Sequence, residues 1–174
     1  MDYNKYMNIA IEEAKKGINE GGFPFGCCIV FNDMLTSSHN SCIQKNDPIS
    51  HAEITAIKSA CNKHHTTSLK GGTIFCTTEP CLMCLGAINW VNISTIVFGT
   101  SINDSKEIGF KEINVDTQSI KKHFNYEITV IPNILYNECK NLFYMWENMN
   151  PLYKRIIKRG KCSHGVQQNN YRNL

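Results

Sequence analysis

Ser50-His51-Ala52-Glu53-Ile54-Thr55-Ala56-Ile57-Lys58-Ser59-Ala60-Cys61 and Glu79-Pro80-Cys81-Leu82-Met83-Cys84 are the two stretches that decide the fold. In the first, Ile54, Ile57 and Cys61 recur at helical spacing with Ala56 and Ala60 beside them, which predicts a helix over 51–64. Ser50 is a favourable N-cap, so His51 and Glu53 fall in the first turn. In the second, Pro80 suits a first helical turn, where its missing N–H costs little, and the pattern predicts a helix over 80–91. Cys81 and Cys84 then share one face of that turn. The electropositive start of a helix favours thiolates. Two such starts facing each other bring one imidazole and two sulfurs to a common point, with a carboxylate, Glu53, beside them.

His51, Cys81 and Cys84 are a donor set for Zn2+, and three protein ligands leave a tetrahedral ion with one open position. A structural zinc is normally closed by four ligands; an open one holds a water and lowers its pKa to about 7. Glu53 is not needed as a ligand and is placed to move protons. Each half also has a plainer reading. Ser50-x-x-Glu53 is a capping box in which Glu53 bonds the Ser50 backbone. Cys81-x-x-Cys84 alone suits a redox pair or half of a structural zinc site. There is no second Cys-x-x-Cys, and His64-His65 are adjacent, a poor geometry for sharing one metal. Taken together, H-x-E and P-C-x-x-C point to a catalytic zinc.

Working outward, 174 residues suffice for one domain with a real core. Apolar periodicity predicts a helix over 2–19, a buried strand over 25–31 and an antiparallel return over 35–43 after the Asn32-Asp33 turn. Further strands are expected at 73–77, 94–99 and 126–131, with helices at 104–109 and 135–148. Later strands alternate with helices, which implies parallel pairing and a three-layer α/β/α sandwich. Cys27, Cys28, Cys42, Cys61 and Cys76 lie in apolar patterns and read as buried thiols. With no secretory signal pattern and no apolar run of membrane-spanning length, a reducing cytoplasm is the expected setting and no membrane partner is expected.

Charge is unevenly spread. From Pro151 onward there are six Lys or Arg and no Asp or Glu, whereas residues 1–150 carry a net charge of −3. The expected organisation is one zinc-dependent domain at 1–150 and a basic C-terminal tail at 151–174. Such a tail binds nucleic acid or stays solvated, and the solvated reading is favoured.

From about residue 5 to 148 the chain resembles the cytidine deaminase-like superfamily. Its closest likeness there is to bacterial guanine deaminases, through Gly22-Phe23-Pro24-Phe25-Gly26, Asn46-Asp47-Pro48, His51-Ala52-Glu53-Ile54-Thr55-Ala56-Ile57, Cys84-Leu85-Gly86-Ala87-Ile88-Asn89-Trp90 and Glu107-Ile108-Gly109-Phe110. The resemblance implies a five-stranded mixed sheet between helices, zinc on His51, Cys81 and Cys84, and Glu53 as proton shuttle. It also implies a purine substrate and a homodimer with exchanged C-terminal segments. Guanine deaminases usually carry two acidic residues after that Gly-Phe; here Lys111-Glu112 follow, and Glu112 is the candidate for the second role. Asn40 is expected to bind the base, its amide offering both donor and acceptor. Phe25 and Trp90 are candidates for stacking, Ala52 for contact with the base, and Tyr144, Trp146 and Tyr153 for closing the pocket.

Two other enzyme readings stand beside this one. Thr78-Glu79-Pro80-Cys81-Leu82-Met83-Cys84, Ile96-Val97-Phe98-Gly99 and Glu138-Cys139-Lys140-Asn141-Leu142-Phe143 also resemble tRNA adenosine deaminases, and Glu20-Gly21-Gly22 suggests cytosine deaminase. A non-enzymatic reading is a zinc-stabilised protein that binds RNA through its tail.

Overall fold

Alternation along three strands divides the core into two halves. The structure, a computed structural model, describes residues 1–150. Its strands β1 (Gly26–Phe31), β2 (Met34–His39), β3 (Thr73–Thr78), β4 (Thr95–Thr100) and β5 (Thr129–Ile131) form one sheet in the order β2-β1-β3-β4-β5. The β1 strand pairs antiparallel with both β2 and β3, while β3–β4 and β4–β5 are parallel. Because successive side chains point to opposite faces, Cys27, Ile29, Ile74, Cys76, Ile96 and Phe98 enter one core cluster. Cys28, Val30, Phe75 and Val97 enter the other.

Helices cover both faces. On the first lie α3 (Ala52–His64) and α4 (Leu82–Trp90), which contribute Ala52, Ala56, Ile57, Ala60, Leu85 and Ile88. On the second lie α1 (Tyr3–Asn19) and α7 (Tyr136–Met149), through Met7, Ala10, Ala14, Leu142 and Trp146. This is the expected three-layer α/β/α sandwich with a mixed sheet. The α1 backbone presses so closely on the sheet that a Cβ at Gly26 would run into the Ala10 carbonyl oxygen and the Ala14 nitrogen. Among the described residues, no helix is long and apolar enough to cross a membrane. The basic segment 151–174 and Tyr153 lie outside the described residues.

Several boundaries differ from the sequence expectation, each for a local reason. The return strand stops at His39 rather than reaching Ile43. The Asn40 N–H still bonds the Phe25 carbonyl (2.9 Å), but its Oδ1 then accepts from the Cys42 N–H (3.2 Å), turning the chain into a short helix, α2 (Cys42–Lys45). The expected 104–109 helix begins earlier, as α5 (Ile102–Glu107), because Ser101 and Asp104 form a capping box. An unforeseen turn, α6 (Thr117–Lys121), is capped by Asp116, which accepts from the Ser119 N–H. Tyr126 is not in a strand; its hydroxyl reaches the carbonyls of Ile88 and Ile93 (3.2 and 3.0 Å). Cys27, Cys28 and Cys76 are buried as expected, but Cys42 and Cys61 are only partly so.

Candidate active site

His51 and Cys81 hold equivalent positions. Each is the N-cap of its helix, α3 or α4, in extended conformation (φ −64°, ψ 156° and φ −67°, ψ 166°), and neither side chain caps its own helix. Both instead turn toward a common centre. This corrects the expectation that Ser50 caps the first helix and Pro80 lies inside the second. The Ser50 N–H goes to the Asp47 carbonyl (3.1 Å) and its hydroxyl to the Asp47 carboxylate (2.6 Å), so no capping box with Glu53 forms. The Glu79 N–H still bonds the Thr100 carbonyl (2.8 Å), so the chain leaves the sheet only at Pro80 and coils from Leu82. Cys84 follows in the first turn of α4 and is buried.

The three donor atoms form an equilateral triangle. Cys81 Sγ to Cys84 Sγ, Cys81 Sγ to His51 Nδ1 and Cys84 Sγ to His51 Nδ1 are each 3.6 Å. A tetrahedral zinc with bonds of ~2.3 Å to sulfur and ~2.0–2.1 Å to nitrogen separates its ligand atoms by about 3.5–3.8 Å. The residues therefore fit the ion and could hold it beside the cleft that His51 and Cys81 line. Their titration supports the same conclusion. The hydrogen bond from the Cys84 thiol, set against burial and helped by His51, holds Cys81 down to about 4. Facing that thiolate, Cys84 is pushed well above the ordinary thiol value, with burial adding to the effect. Burial opposes the charged form of His51, yet the Cys81 thiolate and the Glu53 carboxylate raise it to about 9. The pair shares a proton unless a cation lies between them, and a dication is what allows both sulfurs to ionise.

Over this triangle opens a cleft of about 320 Å3, counting its mouth. Glu53 lines it, 8% exposed, and burial raises its carboxyl above the usual range. Asn40 (2% exposed), Phe25 and Glu112 also line it, so three of the segments singled out by resemblance converge here. Phe25 is at once wall and core, with its ring edge-on to Phe110 at 4.8 Å between centroids. Burial, with the nearby Cys81 and Glu53 charges, pushes the Glu112 carboxyl up to about 8.

Other expected residues lie elsewhere. Ala52 is buried in the core, where its carbonyl accepts from the Ser38 hydroxyl (2.5 Å). Trp90 stands at the far end of α4, 83% exposed, away from the residues lining the cleft. Trp146 is packed 5.1 Å from Phe110 and is 1% exposed, whereas Tyr144 is exposed on α7. Gly26, Cys76, Thr78 and Glu79 line the cleft without having been singled out for it. A usable signal was present for them: the ends of β1 and β3 lie side by side, and ligands gather at strand ends in α/β sheets.

Comparison with known proteins agrees with this geometry. Residues 1–100 match the family described as the cytidine and deoxycytidylate deaminase zinc-binding region. The tRNA-specific adenosine deaminase of Bacillus subtilis (strain 168) is 34% identical over 91% of this chain and 92% of its own length. The guanine deaminase of the same organism is 31% identical over 85% of this chain and 96% of its own length. Among solved structures, the guanine deaminase from Nitrosomonas europaea overlays with a TM-score of 0.76 at 23% identity, over 83% of this chain and 84% of that one, a likeness of fold. The chain belongs to the cytidine and deoxycytidylate deaminase zinc-binding family, a family of zinc-dependent deaminases.

Proposed function

We propose that the protein hydrolyses the exocyclic amine of a purine base, converting guanine and water into xanthine and ammonia. The observation that carries this reading is the placement of Glu112 in the cleft, within the same lining as His51, Cys81, Asn40 and Glu53. Burial raises the Glu112 carboxyl and favours its protonated form, which donates a hydrogen bond to an acceptor on the purine edge. Asn40 offers its amide to the same edge, and Phe25 supplies an apolar wall for the ring.

When bound at His51, Cys81 and Cys84, zinc supplies a water acidic enough to act as nucleophile near pH 7. Glu53 takes a proton from the attacking water, then returns protons to the ring nitrogen and to the departing amine. Its burial suits the task, because a carboxylate of raised pKa takes a proton from water more readily than an ordinary one. Ammonia leaves, and the ring carbon keeps the oxygen. An exposed apolar stripe on α4, formed by Met83, Gly86 and Trp90 at helical spacing, supports a homodimer. Unpaired cysteines at every described cysteine position fit a reducing cytoplasm.

The second reading is a tRNA adenosine deaminase, favoured by the 34% identity to that relative over nearly the whole chain. Ammonia release by zinc-loaded protein from guanine, guanosine, adenine, cytosine and a tRNA anticodon stem–loop, measured in parallel, separates the two. Release from guanine alone is expected. Release from the stem–loop alone overturns the guanine assignment and keeps the hydrolytic chemistry.

A further inference from the structure

Glu79 sits between the end of β3 and the metal ligand Cys81, and it is 6% exposed. A buried carboxylate needs hydrogen-bond donors. Glu79 takes them from two places distant in sequence: Oε2 accepts from the Ile102 N–H (3.0 Å) and Oε1 from the Thr117 N–H (2.7 Å). Ile102 is the first residue of α5 and Thr117 the first of α6. Their N–H groups are among those a helix start leaves without an intrahelical partner. One carboxylate thus caps two helices at once, and between them runs the segment that carries Glu112. That segment has no other regular structure, and its neighbour Ile113 is exposed.

The geometry points to Glu79 as the positioning residue for Glu112, holding both ends of the 102–117 segment so that the Glu112 carboxyl stands over the metal triangle. The proposal rests on the reading that Glu112 contacts the purine. Its physical content is reach. Phe110, packed against Phe25 and Trp146, holds the segment before Glu112, and the Thr117 bond holds it after; without the second hold, Glu112 rides on a hinge. A misplacement of about 1 Å at a reacting group lowers rate by roughly 100-fold. The same side chain leads, two residues on, into Cys81, so metal and acid take their separation from a common support.

The test is a double-mutant cycle on zinc-loaded full-length protein with guanine as substrate, combining Glu79→Gln and Glu112→Gln. Glu79→Gln keeps the length of the side chain but leaves an amide NH2 facing one of the two backbone donors. The expected result is retained zinc, a 10- to 100-fold fall in kcat/KM, and a double variant no slower than Glu112→Gln alone. Losses that multiply in the double variant overturn the proposal, since they mean Glu79 acts elsewhere. Hydrogen exchange at the Ile102 and Thr117 amides is read in parallel and is expected to quicken in Glu79→Gln; unchanged exchange also overturns the clamp. If Glu112→Gln turns over guanine like the parent, the reading of Glu112 falls, and the clamp then stands or falls on the two amides alone. Should Glu79→Gln lose its zinc, Glu79→Asp, which keeps the charge and is too short to span both donors, takes its place with the same expected pattern.

Discussion

His51 and Cys81 occupy the same place in their helices, each the extended residue before the first turn, whereas Asn40, Phe25 and Glu112 come from three unrelated connections. The metal side of the cleft rests on two helix starts packed on one sheet face. The side proposed to read the base hangs on a hairpin exit, the approach to β1 and the segment between α5 and α6. A helix start fixes its ligand through the whole helix behind it. A connection fixes its side chain only through whatever bonds its ends. Damage to the first side should abolish chemistry outright, and damage to the second should alter selectivity and rate.

The sharpest test of that contrast is Cys81→Ala, which removes a ligand and leaves only Cys84 and His51 to hold the ion. Zinc content is expected to fall to background and ammonia release with it, by well over the 10- to 100-fold seen when outer partners of a metal are removed. A metal-loaded, active variant would break the assignment. Next, Glu53→Gln is expected to keep zinc and lose about 100- to 10,000-fold in kcat, the range for a positioned proton-transfer group. Normal turnover would take Glu53 out of the reaction. The smallest effect belongs to the connections. Glu112 donates only while protonated, so activity that uses it falls as pH rises through its pKa of about 8, or lower once the cation is bound. In Glu112→Gln, that alkaline limb of the kcat/KM profile is expected to vanish; its persistence would assign the limb to another group.

The metal side was legible because its information is local. H-x-E and P-C-x-x-C put each ligand at a helix start, and the structure packs both helices on one sheet face. What the pattern missed there is a shift of one or two residues, caused by Ser50 bonding Asp47 and by Glu79 still pairing with Thr100. That Asn40, Phe25 and Glu112 share the cleft was legible only by resemblance. Nothing in the spacing of Asn40, Phe25 and Glu112 brings them together; tertiary packing does. Trp90 shows the cost of that route, since it matches a family segment yet stands exposed at the wrong end of α4. Glu79 was invisible in its role because its partners are backbone amides 23 and 38 residues away, and backbone amides carry no residue-type signal.

The seam between β1 and β3 has a kinetic consequence. The Gly26 N–H bonds the Thr77 hydroxyl across 51 residues, and His51 meets Cys81 across 30. Both closures carry an entropic cost, and because Cys81 follows the end of β3 by three residues, the triangle is expected to assemble and part with the central sheet. An unfolding chain must give up its metal as that seam parts. Zinc release into a chelator therefore serves as a clock for opening of the whole sheet, and the same ion that equips the cleft also slows the molecule's path out of its native state.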